Sequence, residues 1–335
     1  MTSAQVSSTR GRINKIVRAA ALILSLIFMA ALVSSQWQTL AAFQWNFRPG
    51  WLLPSFALLA AGMLVELSIW RFLLASLGGK LRWSRAAQTW FISNLARFIP
   101  GNIWQILGMA ELAADDGVSR LTTFTSIVLH QVLSIAAGAS LAALYFAVAG
   151  HSSFIIHHSS FDLLSMIRPL LWLIPLGLLL CHPRILQAIL NRLLALLRRP
   201  AIAVTLTGRQ MALALLGYAA AWLLTGGGFA LLAAAITPIT PQQVSALIAA
   251  WAAAYVIGYL SLVTPGGLGV REGVMVLLLQ PLFPPPIPTV IALSARLWTI
   301  IAEAAGAAIA FLARSRDRQA APAGGAALAV EVRDP

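Results

Sequence analysis

The sequence is poor in cysteine and in charge, and it is especially poor in acidic residues. Of its 335 residues one is cysteine and 10% are charged, with 10 Asp and Glu against 23 Lys and Arg. The single cysteine, Cys181, excludes an intrachain disulfide. A soluble domain would carry about a quarter charged residues. Disulfide scaffolds and ordinary soluble domains are therefore excluded as classes.

Most of the sequence consists of long apolar runs with few charged residues. The chain is 59% hydrophobic with a mean hydropathy of +0.84, and a run of about 20 apolar residues crosses a bilayer core as a helix. We predict an all-α, polytopic integral membrane protein. The first span follows a basic segment like a signal peptide does, but its apolar core is long for a cleaved one, which favours an uncleaved anchor. Six full spans are predicted, at about 17–35, 51–77, 121–149, 163–181, 209–236 and 289–313.

Two further apolar regions, about 86–113 and 243–284, are each broken by Pro and Gly. If both turn back as re-entrant helical hairpins, nearly all loop Lys and Arg fall on one side, and the outer loops keep only Arg48. That bias marks the cytoplasmic side, so both termini are predicted to be cytoplasmic. Each hairpin can equally be counted as two short helices. Because the basic residues follow topology, a nucleic-acid partner is not expected.

The two breaks also define an internal repeat. "IPGNIW" at 99–104 aligns with "TPGGLG" at 264–269 at an offset of 165, and the same offset relates the flanking spans. The hairpins enter from opposite sides, so the repeat is inverted, and such paired breaks mark a midplane site in transporters. We predict repeat halves at about 51–149 and 209–313 within a transmembrane domain at 17–313. A basic cytoplasmic segment precedes it at 1–16, and a disordered cytoplasmic tail follows at 314–335.

The breaks carry chemistry that suits an anion. A helix restarting after each break presents N–H groups and a positive dipole end, which favour phosphate. Asn102 is a candidate cap for the first helix; Arg97 precedes the first break and Arg271 follows the second. Arginine binds phosphate through two parallel hydrogen bonds. A nucleotide-binding loop at "PGGLG" is rejected because the Lys-Ser/Thr and the preceding strand are missing.

Charged residues within apolar sequence need a partner or a role. Arg296 and Glu303 are seven residues apart and share a helix face, from which both can reach Arg271 and Glu272 on the second hairpin. The alternative is an ion-pair network that only stabilises the hairpin. No catalytic set or metal-ligand spacing is apparent, so neither a cofactor nor a metal is expected, and a membrane-embedded enzyme has the least support.

At "SNLARFIPGNIWQ" and "TPGGLGVREG" the chain resembles the transmembrane region of bacterial lysylphosphatidylglycerol synthase/flippase proteins, over about residues 15–315. The resemblance implies a flippase-like domain in the bacterial inner membrane that handles anionic phospholipids or polyprenyl-phosphate carriers. In full-length members a separate soluble domain aminoacylates the lipid, and that reaction is not expected here. The matched motifs assign the substrate site to Arg97, Pro100, Gly101, Asn102, Pro265, Gly266, Gly267, Gly269, Arg271 and Glu272.

Two functions of different classes follow. The leading hypothesis is a lipid translocase in which helix N-termini and Arg271 bind an anionic headgroup while the tails stay in the bilayer. The alternative is a non-transporting scaffold or accessory subunit of an envelope lipid- or glycan-modifying enzyme. The role of Glu272, in substrate binding or in positioning Arg271, stays open at this point.

Overall fold

The computed structural model describes residues 34, 41, 46–95, 103–149, 182–196, 206–261, 267 and 269–320. Over these residues the chain forms nine α-helices and no strands, and a short 3-10 turn at Pro49–Trp51 precedes the first helix. The helices are α1 (Leu52–Ser76), α2 (Trp83–Asn94), α3 (Ile103–Ala114), α4 (Arg120–Ala149), α5 (Pro183–Leu196), α6 (Gly208–Ile236), α7 (Pro241–Leu260), α8 (Val270–Leu279) and α9 (Ile287–Ala320).

In the described part of the chain, five segments are long and apolar enough to cross a membrane, which agrees with a polytopic helical membrane protein. Four of them match the predicted spans at 51–77, 121–149, 209–236 and 289–313. The predicted spans at 17–35, apart from Ser34, and at 163–181 lie outside the described residues. The five segments are Pro49–Ser76, Arg120–Val148, Gly208–Ile236, Pro241–Leu260 and Ile287–Ala313.

The second hairpin differs from the predicted pair of short arms. Its first arm, α7, has 20 residues, and its second arm, α8, has 10. At 1.5 Å per residue these helices measure about 30 Å and about 15 Å, so α7 alone is long enough to cross the bilayer. The reason is that the Pro/Gly break falls beyond residue 260 and leaves the apolar run before it intact. In the first hairpin both arms have 12 residues.

The C-terminal helix also extends past its predicted end. α9 continues to Ala320, whereas the sequence placed the start of a disordered tail at residue 314. The added residues, "RSRDRQA", include arginine, glutamine and alanine, which are good helix formers. Residues 321–335, like the basic segment at 1–16, lie outside the described part of the chain.

Helices α1 and α6 pack along each other in opposite directions. Near the start of α1, Ser55 Oγ donates a hydrogen bond of 2.7 Å to the carbonyl oxygen of Gly228, near the end of α6. Near the end of α1, the side chain of Ile69 lies over Gly217, near the start of α6. The two helices are therefore antiparallel.

The packing of the first four helices is repeated by α6–α9. Helices α2 and α3 contact each other as α7 and α8 do, and α3 contacts α4 as α8 contacts α9. Across the halves, α4 packs on α7 as α9 packs on α2. A two-fold axis that exchanged the antiparallel helices α1 and α6 would be perpendicular to them and therefore parallel to the membrane plane. This is the arrangement that an inverted repeat requires, while the exact bounds of its halves stay a prediction.

An aromatic cluster fills the core beside the second hairpin. Trp251 on α7 lies 5.0 Å from Phe229, 5.5 Å from Trp298 and 4.4 Å from Tyr255, measured between ring centroids. Its indole N–H donates to Thr225 Oγ1 at 3.1 Å, so the buried polar atom is satisfied. The cluster packs against Tyr255, whose ring also contacts Arg271.

Candidate functional site

Four charged side chains are buried where α8 meets α9. The exposed fraction is 5% for Arg271, 1% for Glu272, 9% for Arg296 and 3% for Glu303. Burying charge at bilayer depth costs several kcal/mol unless the charge is paired, and such residues commonly mark a substrate pathway. Their surroundings therefore decide whether they form a site or only a structural network.

Glu272 is the residue that connects the start of α8 to both arginines. One carboxylate oxygen, Oε2, accepts a hydrogen bond of 2.8 Å from the backbone N–H of Gly269. The other, Oε1, lies 3.3 Å from Arg271 Nε and 3.6 Å from Arg296 Nη1. From the sequence we predicted that a ligand binds at this helix N-terminus. In the structure the carboxylate of Glu272 occupies that position. Glu272 thus has the contacts of a residue that positions the arginines.

Tyr255 and Glu272 orient the guanidinium group of Arg271, and one of its donors has no hydrogen-bond partner among the described residues. Its guanidinium carbon lies 4.3 Å from the centroid of the Tyr255 ring, a cation–π contact. Among the described residues, Arg271 Nη2 has no hydrogen-bond partner, and Nε meets Glu272 as an ion pair without hydrogen-bond geometry. A buried donor without a partner costs about 1–3 kcal/mol or more when charged. A ligand that accepts a hydrogen bond would satisfy such a group.

Two glycines let the hairpin tip approach α7 closely enough to place Arg271. Gly267 has a φ of +69°, and a Cβ atom there would lie 2.9 Å from the carbonyl oxygen of Gly258. A Cβ on Gly258 would lie 3.1 Å from Arg271 Cβ. Only glycine fits Gly267, because a side chain would be strained by the positive φ and would meet backbone.

A cavity of about 360 Å³ lies between the two hairpins and is lined from both halves of the chain. Three pairs of lining residues are related by the sequence offset of 165. Among the described lining residues, the first half contributes His130 and uncharged side chains, which form the neutral wall, and the second half contributes both arginines and Glu303, which form the charged wall. The pairs are Trp90 with Tyr255, Ile106 with Arg271, and Gln131 with Arg296.

Two further residues of this region, His130 on α4 and Tyr218 on α6, were not among the predicted site residues. His130 Nδ1 and the Tyr218 hydroxyl oxygen are 2.6 Å apart, and His130 lines the cavity. The sequence contained a signal for His130, because a histidine in the middle of an apolar span is a polar group at bilayer depth. Tyr218 carried no comparable signal, since a tyrosine in a span is compatible with ordinary packing.

The predicted site residues divide into three groups. Gly267, Arg271, Arg296 and Glu303 line the cavity. Gly269, with a φ of +83°, and Glu272 form the start of α8 beside it. The remainder lie outside the described residues, so their assignment stays a prediction: Arg97, Pro100, Gly101, Asn102, Pro265 and Gly266.

Comparison with known proteins identifies one family. Residues 17–306 match the family described as "Lysylphosphatidylglycerol synthase TM region". The match covers every helix of both halves except the last residues of α9. No curated protein and no solved structure matches the chain.

Proposed function

The chain belongs to the lysylphosphatidylglycerol synthase transmembrane-region family, and on that premise we propose that it binds an anionic, phosphate-bearing lipid by its headgroup and carries it across the bilayer. The family relates this multi-pass membrane protein to lipid modification or flipping. The observation that carries the proposal is Arg271, a buried cation whose Nη2 lacks a partner among the described residues and which lines a cavity between the hairpins.

The side chains around Arg271 suit a phosphate better than a neutral ligand. A guanidinium is planar, keeps its charge when buried, and donates in a geometry that matches phosphate oxygens. Arg296 lines the same cavity and provides a second positive charge. Tyr255 below the Arg271 guanidinium fixes its plane. A phosphate oxygen that accepts from Nη2 would satisfy a donor that has no partner among the described residues.

The size and the two walls of the cavity suit a headgroup and not a whole lipid. About 360 Å³ is near the lower end of small-molecule sites, which range over about 300–1,000 Å³. The charged wall then binds the phosphate, and the neutral wall, with Trp90, Ile106 and Met109, faces the part of the headgroup that joins the tails. Acyl chains or a polyprenyl chain stay in the bilayer.

We place the protein in the bacterial inner membrane with both termini in the cytoplasm. Because α1 and α6 are antiparallel, the end of α1 and the start of α6 lie on the same side of the membrane. Lys80, Arg82 and Arg209 are found there, and an excess of Lys and Arg is typical of cytoplasmic loops.

The test is transport of labelled lipids by the purified protein in liposomes. We expect phosphatidylglycerol to be bound and moved in preference to phosphatidylcholine. Arg271→Ala should lower phosphatidylglycerol binding at least about tenfold, because a hydrogen bond to a charged group is worth about 1.5–3 kcal/mol. Arg271→Lys, which keeps the charge but loses the planar donors, should retain part of the activity.

Arg120→Ala is the matched control. Arg120 is an exposed arginine at the start of α4, where it pairs with Glu111 at 2.7 Å, and its loss should leave lipid binding unchanged. Equal binding of anionic and zwitterionic lipids would contradict the headgroup mechanism. Absence of transport, together with a partner protein that still binds to Arg271→Ala, would favour the scaffold or accessory-subunit alternative.

A further inference from the structure

A buried histidine lines the same cavity as the two arginines. His130 is 9% exposed, and its ring meets the edge of Trp90 at a centroid distance of 4.9 Å. On another side its Nδ1 lies 2.6 Å from the hydroxyl oxygen of Tyr218, which is completely buried. Contacts from α2 and α6 therefore fix the orientation of a titratable ring beside the site.

Among the described residues, the charged side chains that line the cavity or pair with its arginines cancel before a ligand binds. Arg271 and Arg296 contribute two positive charges when ionised, and Glu272 and Glu303 contribute two negative ones. An anionic headgroup would therefore leave one uncompensated negative charge in a buried site. Uncompensated buried charge is costly, and sites avoid it by changing protonation. Histidine is the side chain best suited to that change, because its unperturbed pKa of about 6.5 is closest to neutral pH.

The groups around His130 are compatible with a gained proton. A tyrosine hydroxyl can donate or accept, so the contact with Tyr218 persists when Nδ1 carries a proton. Glu66, halfway along α1, interacts electrostatically with Tyr218. Five other helices contribute described titratable or charged side chains around the cavity. They are Glu66 from α1, Tyr218 from α6, Tyr255 and Tyr259 from α7, Arg271 and Glu272 from α8, and Arg296 and Glu303 from α9. The lining residues Trp90 of α2 and Gln105 of α3 are neutral.

We propose that His130 is a proton-binding residue of the lipid site, which takes up one proton when an anionic headgroup binds next to Arg271 and Arg296. This role rests on the proposed lipid-binding function and adds a linkage between the lipid and a proton. His130 in its protonated form supplies the positive charge that the four cancelling residues do not. The proton comes from the solvent, and it returns there when the headgroup leaves.

The proton linkage predicts the direction in which lipid affinity changes with pH. If His130 is neutral in the empty protein and protonated in the complex, affinity for the anion increases as pH falls. The increase amounts to up to about tenfold for each pH unit. At pH values low enough to protonate His130 in the empty protein, the affinity stops changing. A zwitterionic headgroup adds no net charge and should show little dependence on pH.

The experiment measures the binding of short-chain phosphatidylglycerol to the full chain in phosphatidylcholine nanodiscs between pH 5.5 and 8.5. We expect wild-type protein to bind more tightly at low pH, and His130→Gln to keep the weaker, high-pH affinity throughout. His182→Gln is the matched control, because His182 is an exposed histidine just before α5 and should behave as wild type. Proton uptake measured with an indicator dye in weak buffer should be about one proton per lipid for wild type and none for His130→Gln.

The outcomes separate this inference from the proposed function. If phosphatidylglycerol has no preference over phosphatidylcholine at any pH, the headgroup function fails and the proton linkage fails with it. If the preference is present but wild type is independent of pH, only the role of His130 is overturned. The same is true if His130→Gln, with a melting temperature close to that of wild type, keeps the full pH dependence.

Discussion

At the scale of single residues, Glu272 accounts for most of the site's geometry. It accepts from the Gly269 N–H and lies within ion-pair distance of Arg271 and Arg296. Without it, the two buried arginines would lose the carboxylate that lies within ion-pair distance of both. Because the two guanidinium groups repel each other, a carboxylate between them is stabilising even though it is 1% exposed and loses its hydration. The contacts favour a positioning role over direct substrate binding.

Glu272→Gln should change stability and anion affinity in opposite directions. Removing one partner of a buried ion pair costs about 3–5 kcal/mol, so the melting temperature in detergent should fall clearly. Binding of phosphatidylglycerol by the remaining folded protein should become tighter, because the carboxylate no longer competes for the arginines.

Glu111→Gln provides the control for Glu272→Gln. Glu111 pairs with Arg120 on the surface, with side chains 61% and 66% exposed, and an exposed pair contributes about 0–1 kcal/mol. Its loss should hardly move the melting temperature. If Glu272→Gln instead weakens anion binding while remaining folded, the arginines need the carboxylate to hold their positions, and competition between Glu272 and the ligand is not the dominant effect.

At the scale of elements, the second hairpin depends on how closely its tip approaches α7. Helix α8 begins at residue 270, after two residues with positive φ, Gly267 and Gly269. The tip lies against Gly258 with no room for a Cβ atom. The position of Arg271 therefore depends on backbone contact between two glycines as well as on its own ion pair.

Gly267→Ala should destabilise the protein and also weaken lipid binding. The substitution forces a positive φ on alanine, which costs about 1–2 kcal/mol, and brings Cβ against the carbonyl oxygen of Gly258. Gly117→Ala isolates the first effect, because Gly117 has a similar φ of +80° and open space around it. Thermal unfolding should show a larger loss for Gly267→Ala, and lipid binding should fall only there. Equal effects in the two variants would mean that the close approach to Gly258 has no role.

At the scale of the whole molecule, the seam between the halves is formed by α1 and α6. A Cβ added to Gly62 on α1 would collide with the side chain of Thr225 on α6. Such small residues allow helices to pack closely where lipid provides no hydrophobic driving force. Since the cavity is lined from both halves, its shape depends on this seam although no described residue of α1 or α6 lines it.

Gly62→Ala should lower stability, whereas Gly227→Ala on the facing helix should not. A Cβ at Gly227 would lie 3.5 Å from Leu58, an ordinary contact, and replacing a mid-helix glycine by alanine gains about 0.5–1 kcal/mol. At Gly62 that gain is outweighed by the overlap with Thr225. Melting temperatures in the same detergent provide the comparison. A stabilised Gly62→Ala would show that the two helices separate easily and that the seam does not restrain the halves.

Part of this architecture follows from the sequence because it depends on composition and local pattern. Apolar runs long enough for lipid, together with the position of the Pro/Gly breaks, predict four of the five candidate spans and a helix on each side of both breaks. The length of α7, which ends at residue 260, was not predicted. A Pro/Gly break indicates where a helix stops but not how far the helix extends from it. Arg271, Arg296 and Glu303 were identified because charge within apolar sequence is conspicuous.

What the sequence by itself determined is therefore the class of protein, the paired breaks and the charged residues, since lipid solvation constrains each segment separately. The tertiary structure alone decided what those residues contact. It placed the Glu272 carboxylate at the start of α8 and between the arginines, left Arg271 Nη2 beside a cavity, and brought His130 and Tyr218 together from positions 88 residues apart. These contacts join helices from different parts of the chain, and no local pattern specifies which faces meet. The physical reason is that the membrane selects helices one at a time, whereas a binding site is formed only when they pack.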